Sequence, residues 1–283
     1  MFAKFGPAGT PEEFSKMGFK STMDVPKYIK AVGLDWFEYQ CGRGVNIGAD
    51  KASALGKIMH EQGFGISLHA PYYISMSSTE EEKRLNSVNY ILQSANIVNI
   101  MGGNRIVVHT GSCGKISREY ALELAIDTMK KSLIALKEAN LEHIHICPET
   151  MGKVNQLGTL DEVISLCQID DSLIPCIDFG HLNARDLGYF NTKSNYELVF
   201  TKIKNNLGSD RLKCFHSHFS KIEYTTGGEK KHLTFEDTIY GPDFEPVMDL
   251  VAKYNCNPVF ICESAGTQGQ DAKTMKNYYE KLF

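Results

Sequence analysis

Pro175-Cys176-Ile177-Asp178-Phe179-Gly180-His181 is an apolar run that ends on a carboxylate, with an imidazole three residues after the acid. Such a run reads as the end of a buried strand. Asp and His are ligands that zinc, manganese and iron accept, and a rigid strand end can aim them. A single D-x-x-H is a weak signal, because an Asp at a strand-to-loop junction also caps a following helix. Its weight comes from the rest of the chain, where other apolar runs end on His or Glu in the same way.

Outward from this stretch, short β-rich runs alternate with amphipathic segments. The runs cover 2–5, 36–39, 65–69, 105–109, 143–148, 173–178, 212–216 and 258–263. Between them, Leu85, Val88, Leu92 and Ala95, and then Leu122, Ile126, Met129, Leu133 and Leu136, repeat at the three-or-four spacing of one buried helix face. Thr79 with Glu82, Thr159 with Glu162 and Ser194 with Glu197 each have the spacing of a capping box. No linker, repeat or low-complexity tract interrupts the alternation. Eight strand–helix units in 283 residues predict an α/β fold, a single (β/α)8 barrel domain over 1–283.

Barrels of this kind build their sites from strand carboxyl ends and the loops that follow. The expected strand ends supply His69, His109, Glu149, Asp178, His216 and Glu263, with His181 and His232 in loops just beyond. Six successive strands thus deliver a metal-binding residue to one rim, in a chain with only 9 histidines. His60, inside a helical pattern, and His143 and His145, before the end of the fifth run, read as structural. His218 is either a group supporting the ligands or a surface residue. Asp237 and Asp243 fit helix entries, and 80–82 suits the positive end of a helix.

The formal charge, 30 basic against 34 acidic residues for −4, argues against a generic basic nucleic-acid coat. The 8 cysteines form no C-x-x-C pair and read as small buried hydrophobes of a reducing compartment. The first residues lack the apolar core of a signal peptide, and no long apolar run occurs, so a soluble cytoplasmic protein without a membrane partner is expected. Phosphate-loop, serine-hydrolase and dinucleotide motifs are absent.

The set Leu68-His69-Ala70-Pro71-Tyr72, Val108-His109-Thr110-Gly111, Pro148-Glu149-Thr150, Ile177-Asp178-Phe179-Gly180-His181, His216-Ser217-His218-Phe219-Ser220-Lys221 and Cys262-Glu263 resembles endonuclease IV, the zinc-dependent apurinic/apyrimidinic endonuclease family. The resemblance runs over nearly the whole chain, in order. It implies a (β/α)8 barrel with two or three zinc ions, Mn2+ or Fe2+ being possible substitutes, that cleaves DNA on the 5′ side of an abasic site. It implies that His69, His109 and Glu149 bind one ion, that Glu149 bridges to a second held by Asp178, His216 and Glu263, and that His181 serves a third. Glu149 and Glu263 are the carboxylates expected to serve catalysis as well as ligation. Tyr72 and Arg43, the latter in Gln40-Cys41-Gly42-Arg43-Gly44, are expected to contact DNA. The implied partner is damaged double-stranded DNA, and the implied state a monomer.

One departure concerns the third ion. The family supplies D-x-H after its seventh strand, whereas this chain reads Glu229-Lys230-Lys231-His232, with a longer acid and one extra residue. Glu229 and His232 are expected to join His181 there. The alternative is a sugar isomerase or epimerase of the related barrels, in which counterparts of Glu149, Asp178, His216 and Glu263 hold one ion. A barrel that binds metal and ligand without turnover is a third reading.

Overall fold

The computed structural model describes residues 2–283. Its strands are β1 (Lys4–Pro7), β2 (Trp36–Gln40), β3 (Gly65–His69), β4 (Arg105–Val108), β5 (His145–Pro148), β6 (Cys176–Asp178), β7 (His216–Phe219), β8 (Ile222–Thr225), β9 (Gly228–His232) and β10 (Val259–Cys262). The chain forms two compact units, one of residues through Glu38 with 152–154 and 176–283, the other of 39–151 and 155–175.

In the first unit, β1, β10, β7 and β6 form a parallel sheet in that order. Phe5 pairs with Phe260, Cys262 with Phe219, and Asp178 with His218. The start of β2 lies along β1, where the Asp35 amide donates to the Phe5 carbonyl at 3.0 Å and the Gly9 amide to the Glu38 carbonyl at 2.9 Å. Gly6 permits this approach, since a Cβ there would lie 2.1 Å from the Trp36 carbonyl oxygen. Phe5, Phe179, Phe215, Phe219 and Phe260 are all fully buried and form the aromatic part of the core.

In the second unit the sheet order is β2-β3-β4-β5. β3 pairs with β4 and β4 with β5, both parallel. The Ile174 amide donates to the Ile146 carbonyl at 3.3 Å and extends the ladder beyond β5. Crossover helices such as Ala49–Glu61, Glu81–Ile100 and Arg118–Glu138 join the strands. Parallel strands in these orders, joined by helices, are the α/β organisation of a (β/α)8 barrel. Among the described residues, no helix is long and apolar enough to cross a membrane.

The structure corrects several local expectations. The run at 212–216 is not a strand throughout: Lys193–Cys214 is helical, kinked at Gly208, and β7 starts only at His216. A short apolar run carries too little periodicity to separate a buried helix end from a strand. In Glu81–Ile100 the buried face is Arg84, Ser87, Ile91, Ser94, Ala95 and Val98, and Leu85 is exposed. In Arg118–Glu138, Met129 and Leu136 are buried as expected, but Ala121, Ala125, Thr128 and Ser132 complete the stripe. Small side chains mark this line of close approach, and the apolar scale reads past them.

Of the three capping boxes, only Thr159 with Glu162 forms. The helix after Thr79 begins at Glu81, with Glu80 as its cap residue. Ser194 lies inside its helix, and Glu197 is drawn away to Lys253 and the Tyr254 hydroxyl.

Glu162 does more than cap. Its carboxylate accepts from the Gly158 and Thr159 amides at 2.7 and 2.8 Å and takes a two-pronged pair from Arg118 at 2.8 and 2.7 Å. Burial alone would raise its pKa, but the Arg118 guanidinium and the two amides outweigh burial and hold it below the usual value. A depressed folded-state pKa stabilises the fold above the unfolded value, and the gain is lost as pH falls through the folded one. Glu162→Gln is therefore expected to cost about 2 kcal/mol at pH 7. Urea unfolding should show that deficit shrinking below roughly pH 4, where the unfolded carboxyl takes up its proton; a deficit constant with pH would refute the ionic origin.

Candidate metal centre

His69 closes β3, His109 follows β4 and Glu149 follows β5, all within the second unit. Glu149 is fully buried and His69 nearly so. The Glu149 Oε2 lies 3.5 Å from His69 Nε2 and 3.2 Å from His109 Nε2. The two imidazoles meet edge to face, with centroids 4.9 Å apart. His69 Nδ1 is 2.8 Å from the Ala70 carbonyl oxygen, which can only accept, so the ring carries a proton there and Nε2 is the nitrogen that faces Glu149.

In the first unit, Asp178 ends β6 and is fully buried. Its Oδ1 accepts from the His181 amide at 2.7 Å, and its Oδ2 is 3.2 Å from His181 Nδ1. The expected helix-cap role and the expected ligand role thus fall on one carboxylate. On β7, His216 and His218 share a face because side chains alternate along a strand. His218, and not His216, is in register with Asp178; His216 pairs with Cys176, one layer back. His218 Nδ1 lies 3.5 Å from Glu263 Oε1, while His216 Nε2 is 2.9 Å from Glu38 Oε2. The strand-end place expected for His216 is therefore occupied by His218.

Glu38 was not anticipated from sequence. It is fully buried on β2 and also meets His218 Nε2, at 2.8 Å. Burial would raise its pKa, but the neighbouring His218 and the hydrogen bonds from both imidazoles hold it far below the carboxylate range. The signal available was its place inside an apolar strand, where an acid needs partners.

The third group is built by the hairpin β8–β9 of the first unit. His181 Nε2 is 3.4 Å from Glu229 Oε2, and His232 Nε2 is 3.8 Å from Glu229 Oε1. Ser220 Oγ fixes the other ring nitrogen of His232 at 2.8 Å. In a regular strand, residues three apart point to opposite faces. Here Ile222 pairs with His232, Glu223 with Lys231 and Tyr224 with Glu229, so Lys230 is the extra residue of a β-bulge. The bulge returns Glu229 and His232 to one face, and the added residue of the sequence is absorbed there. Gly152 leaves room for them: a Cβ would lie 2.9 Å from Glu229 Oε2 and 2.9 Å from His181 Cδ2.

These clusters fit a divalent cation. Donors bound to zinc at about 2.1 Å lie roughly 3.4 Å apart at the corners of a tetrahedron. The separations of 3.2 to 3.8 Å match that edge and mostly exceed a good N–H···O hydrogen bond. His69, His109 and Glu149 form one group with donor atoms within 4.8 Å of one another, and His181, His232 and Glu263 another.

Tyr72 is 60% exposed, with its ring centroid 5.4 Å from that of His109. Arg43 is exposed in the loop after β2. Of the histidines read as structural, His60 is exposed, His143 contacts Asn99 and His145 contacts the Ser172 carbonyl. No disulfide joins any of the 8 cysteines, and seven of them are buried. The helix entries expected at Asp237 and Asp243 do not form: Asp237 accepts from the Ile239 and Tyr240 amides in a turn, and the helix Glu245–Lys253 takes Phe244 as its cap residue while Asp243 lies 3.3 Å from Lys221.

Residues 26–281 match a protein family described as xylose isomerase-like TIM barrel. An uncharacterized protein of Methanocaldococcus jannaschii is 33% identical over 276 residues, 98% of this chain and 97% of its own length. A probable endonuclease 4 of Mycoplasma genitalium is 28% identical over 195 residues, which is 66% of this chain and 62% of that relative. Among solved structures, a D-tagatose 3-epimerase-like protein aligns with a TM-score of 0.75 at 18% identity, covering 99% of this chain and 97% of its own. Endonuclease IV from Thermus thermophilus aligns with 0.68 at 16%, covering 98% and 99%. At such identities the two structures show a shared fold, the TIM barrel.

The bulge makes a prediction about spacing. Deleting Lys230 leaves one residue between acid and imidazole, so a plain ladder keeps both on the same face, and the number of ions per chain by elemental analysis should not change. Gly152→Ala, which forces a methyl against Glu229 and His181, should lower that number by one. An ion lost on deletion, or none lost on Gly152→Ala, would show that the hairpin does not form a metal site.

Proposed function

Because the chain belongs to the xylose isomerase-like TIM barrel family, an enzyme superfamily, and carries ligand groups on β3–β5 as well as on β6–β10, we propose that it is a metal-dependent phosphodiesterase. Its proposed reaction is incision of damaged DNA on the 5′ side of abasic sites, as in base excision repair. The observation that carries this reading is the cluster of His69, His109 and Glu149, with both imidazoles aimed at one buried carboxylate. A sugar isomerase that holds one ion through Glu149, an Asp, a His and Glu263 has no use for that pair of histidines. The similarity to probable endonuclease 4 proteins supports the nuclease reading.

His69, His109 and Glu149 would hold one ion. Asp178, His218 and Glu263 would hold a second, His218 taking the place expected of His216. His181, Glu229 and His232 would hold a third. Zinc, or Mn2+ or Fe2+ in its place, would supply Lewis acidity that activates water at neutral pH and offsets charge on phosphate oxygens.

The rest falls to the chain's own residues. Tyr72 presents an exposed ring beside His69 and His109, suited to fill the gap left by a displaced nucleotide. Arg43 adds a cation on an exposed loop. With a net charge of −4, selectivity would rest on the deformability of the abasic step, not on a basic coat.

Purified protein should contain two or three ions per chain and should nick a duplex carrying one abasic analogue on its 5′ side, leaving intact duplex whole. Glu149→Gln should lower the ion content by one and the nicking rate by more than about 100-fold. One ion per chain, together with ketose epimerisation and an uncut abasic duplex, would replace this reading with the sugar-enzyme one.

A further inference from the structure

Glu38 stands apart from every proposed ligand in sequence, yet its carboxylate is held from both ends. Its backbone is pinned in the β1–β2 ladder through the Ala8 bridge and the Gly9 amide. Its Oε2 lies 2.9 Å from His216 Nε2 and its Oε1 2.8 Å from His218 Nε2. An ionised carboxylate only accepts, so each imidazole donates Nε2–H to it. A neutral ring with its proton on Nε2 has its lone pair on Nδ1, and in His218 that atom faces Glu263 Oε1 at 3.5 Å.

We propose that Glu38 is a positioning residue that fixes the His218 proton on Nε2 and so presents Nδ1, beside Glu263, as a metal-ligand atom. His216 completes the device. By engaging the second carboxylate oxygen it stops Glu38 from rotating, a bracing role for a histidine that the sequence would have made a ligand. Outer hydrogen-bond partners of this kind set tautomer and ring orientation in metal sites. The tautomer stands on geometry alone, while the ligand role of His218 rests on the metal-dependent reading above.

Histidine-selective 15N labelling of the full chain, with long-range 1H–15N correlation, reads which ring nitrogen carries the proton. After chelator treatment, His216 and His218 are both expected as Nε2–H; on adding Zn2+, the Nδ1 of His218 should shift as a ligand and neither nitrogen of His216 should. In Glu38→Gln the amide offers one acceptor and one donor, so at least one ring must move its proton to Nδ1. Co2+ affinity, read from its visible absorption, should fall by about 10- to 100-fold.

A purely structural Glu38 would leave the tautomers as they were. An Nδ1–H on His218 in the wild-type protein overturns the proposal, and this measurement needs no variant to fold. Unchanged tautomers and Co2+ affinity in a folded Glu38→Gln protein overturn it as well. Nε2–H on both rings in a wild-type protein that binds no ion would instead overturn the ligand role of His218 and the metal reading, and keep the tautomer assignment.

Discussion

A carboxylate taken out of water costs several kcal/mol unless its surroundings repay that loss, and this chain buries Glu38, Glu149 and Asp178 completely. The three are compensated in different ways. Glu38 receives short hydrogen bonds from two imidazoles, a self-contained arrangement. Asp178 accepts the His181 amide on one oxygen and offers the other to the His181 ring at 3.2 Å. Glu149 faces two imidazole nitrogens at 3.2 and 3.5 Å, separations suited to sharing an ion. Within each unit the strand ends and the parallel ladders hold these carboxylates beside their imidazoles.

Loops beyond the strands must reach the same precision without a sheet on either side. The hairpin β8–β9 does so with a bulge at Lys230, a glycine at 152 that lets Glu229 close on His181, and Ser220 gripping His232. Each device is local, and together they convert an irregular four-residue stretch into a face with acid and imidazole side by side. A spacing that departs from a family pattern can therefore preserve the pattern's geometry when backbone irregularity absorbs the difference.

The fold was legible in the sequence because β-rich runs and helical periodicity alternate along the whole chain, and Gly65–His69 falls on the residues expected. Errors arose where a signal was short or small. The 212–216 run mixed a helix end with a strand start, and Ala, Ser and Thr stripes lined helix faces that a search for Leu and Ile cannot see. Strand ends gave most of the candidate ligands. His218 reads from sequence only as a supporting or surface group, because register, which only the pairing with Asp178 reveals, puts it and not His216 at that layer. Glu38 escaped because it sits inside a strand and its role depends on β7, nearly 180 residues away in the chain.

A barrel common to epimerases and endonucleases cannot itself decide between them, since chemistry resides in groups mounted on the fold. The discriminating residues lie outside the set that both chemistries use. His69 and His109 add two nitrogen donors on β3 and β4, and the β8–β9 hairpin adds an acid and an imidazole beside His181. A site with a single ion leaves these donors, of which His69 and His181 are buried, without a metal to bind. A phosphodiester carries a negative charge that grows on its leaving oxygen as the bond breaks, and additional cations repay their binding sites by offsetting it. In the reading proposed above, the extra donors at the ends of β3 and β4 and on the hairpin are the groups that would serve a phosphodiester.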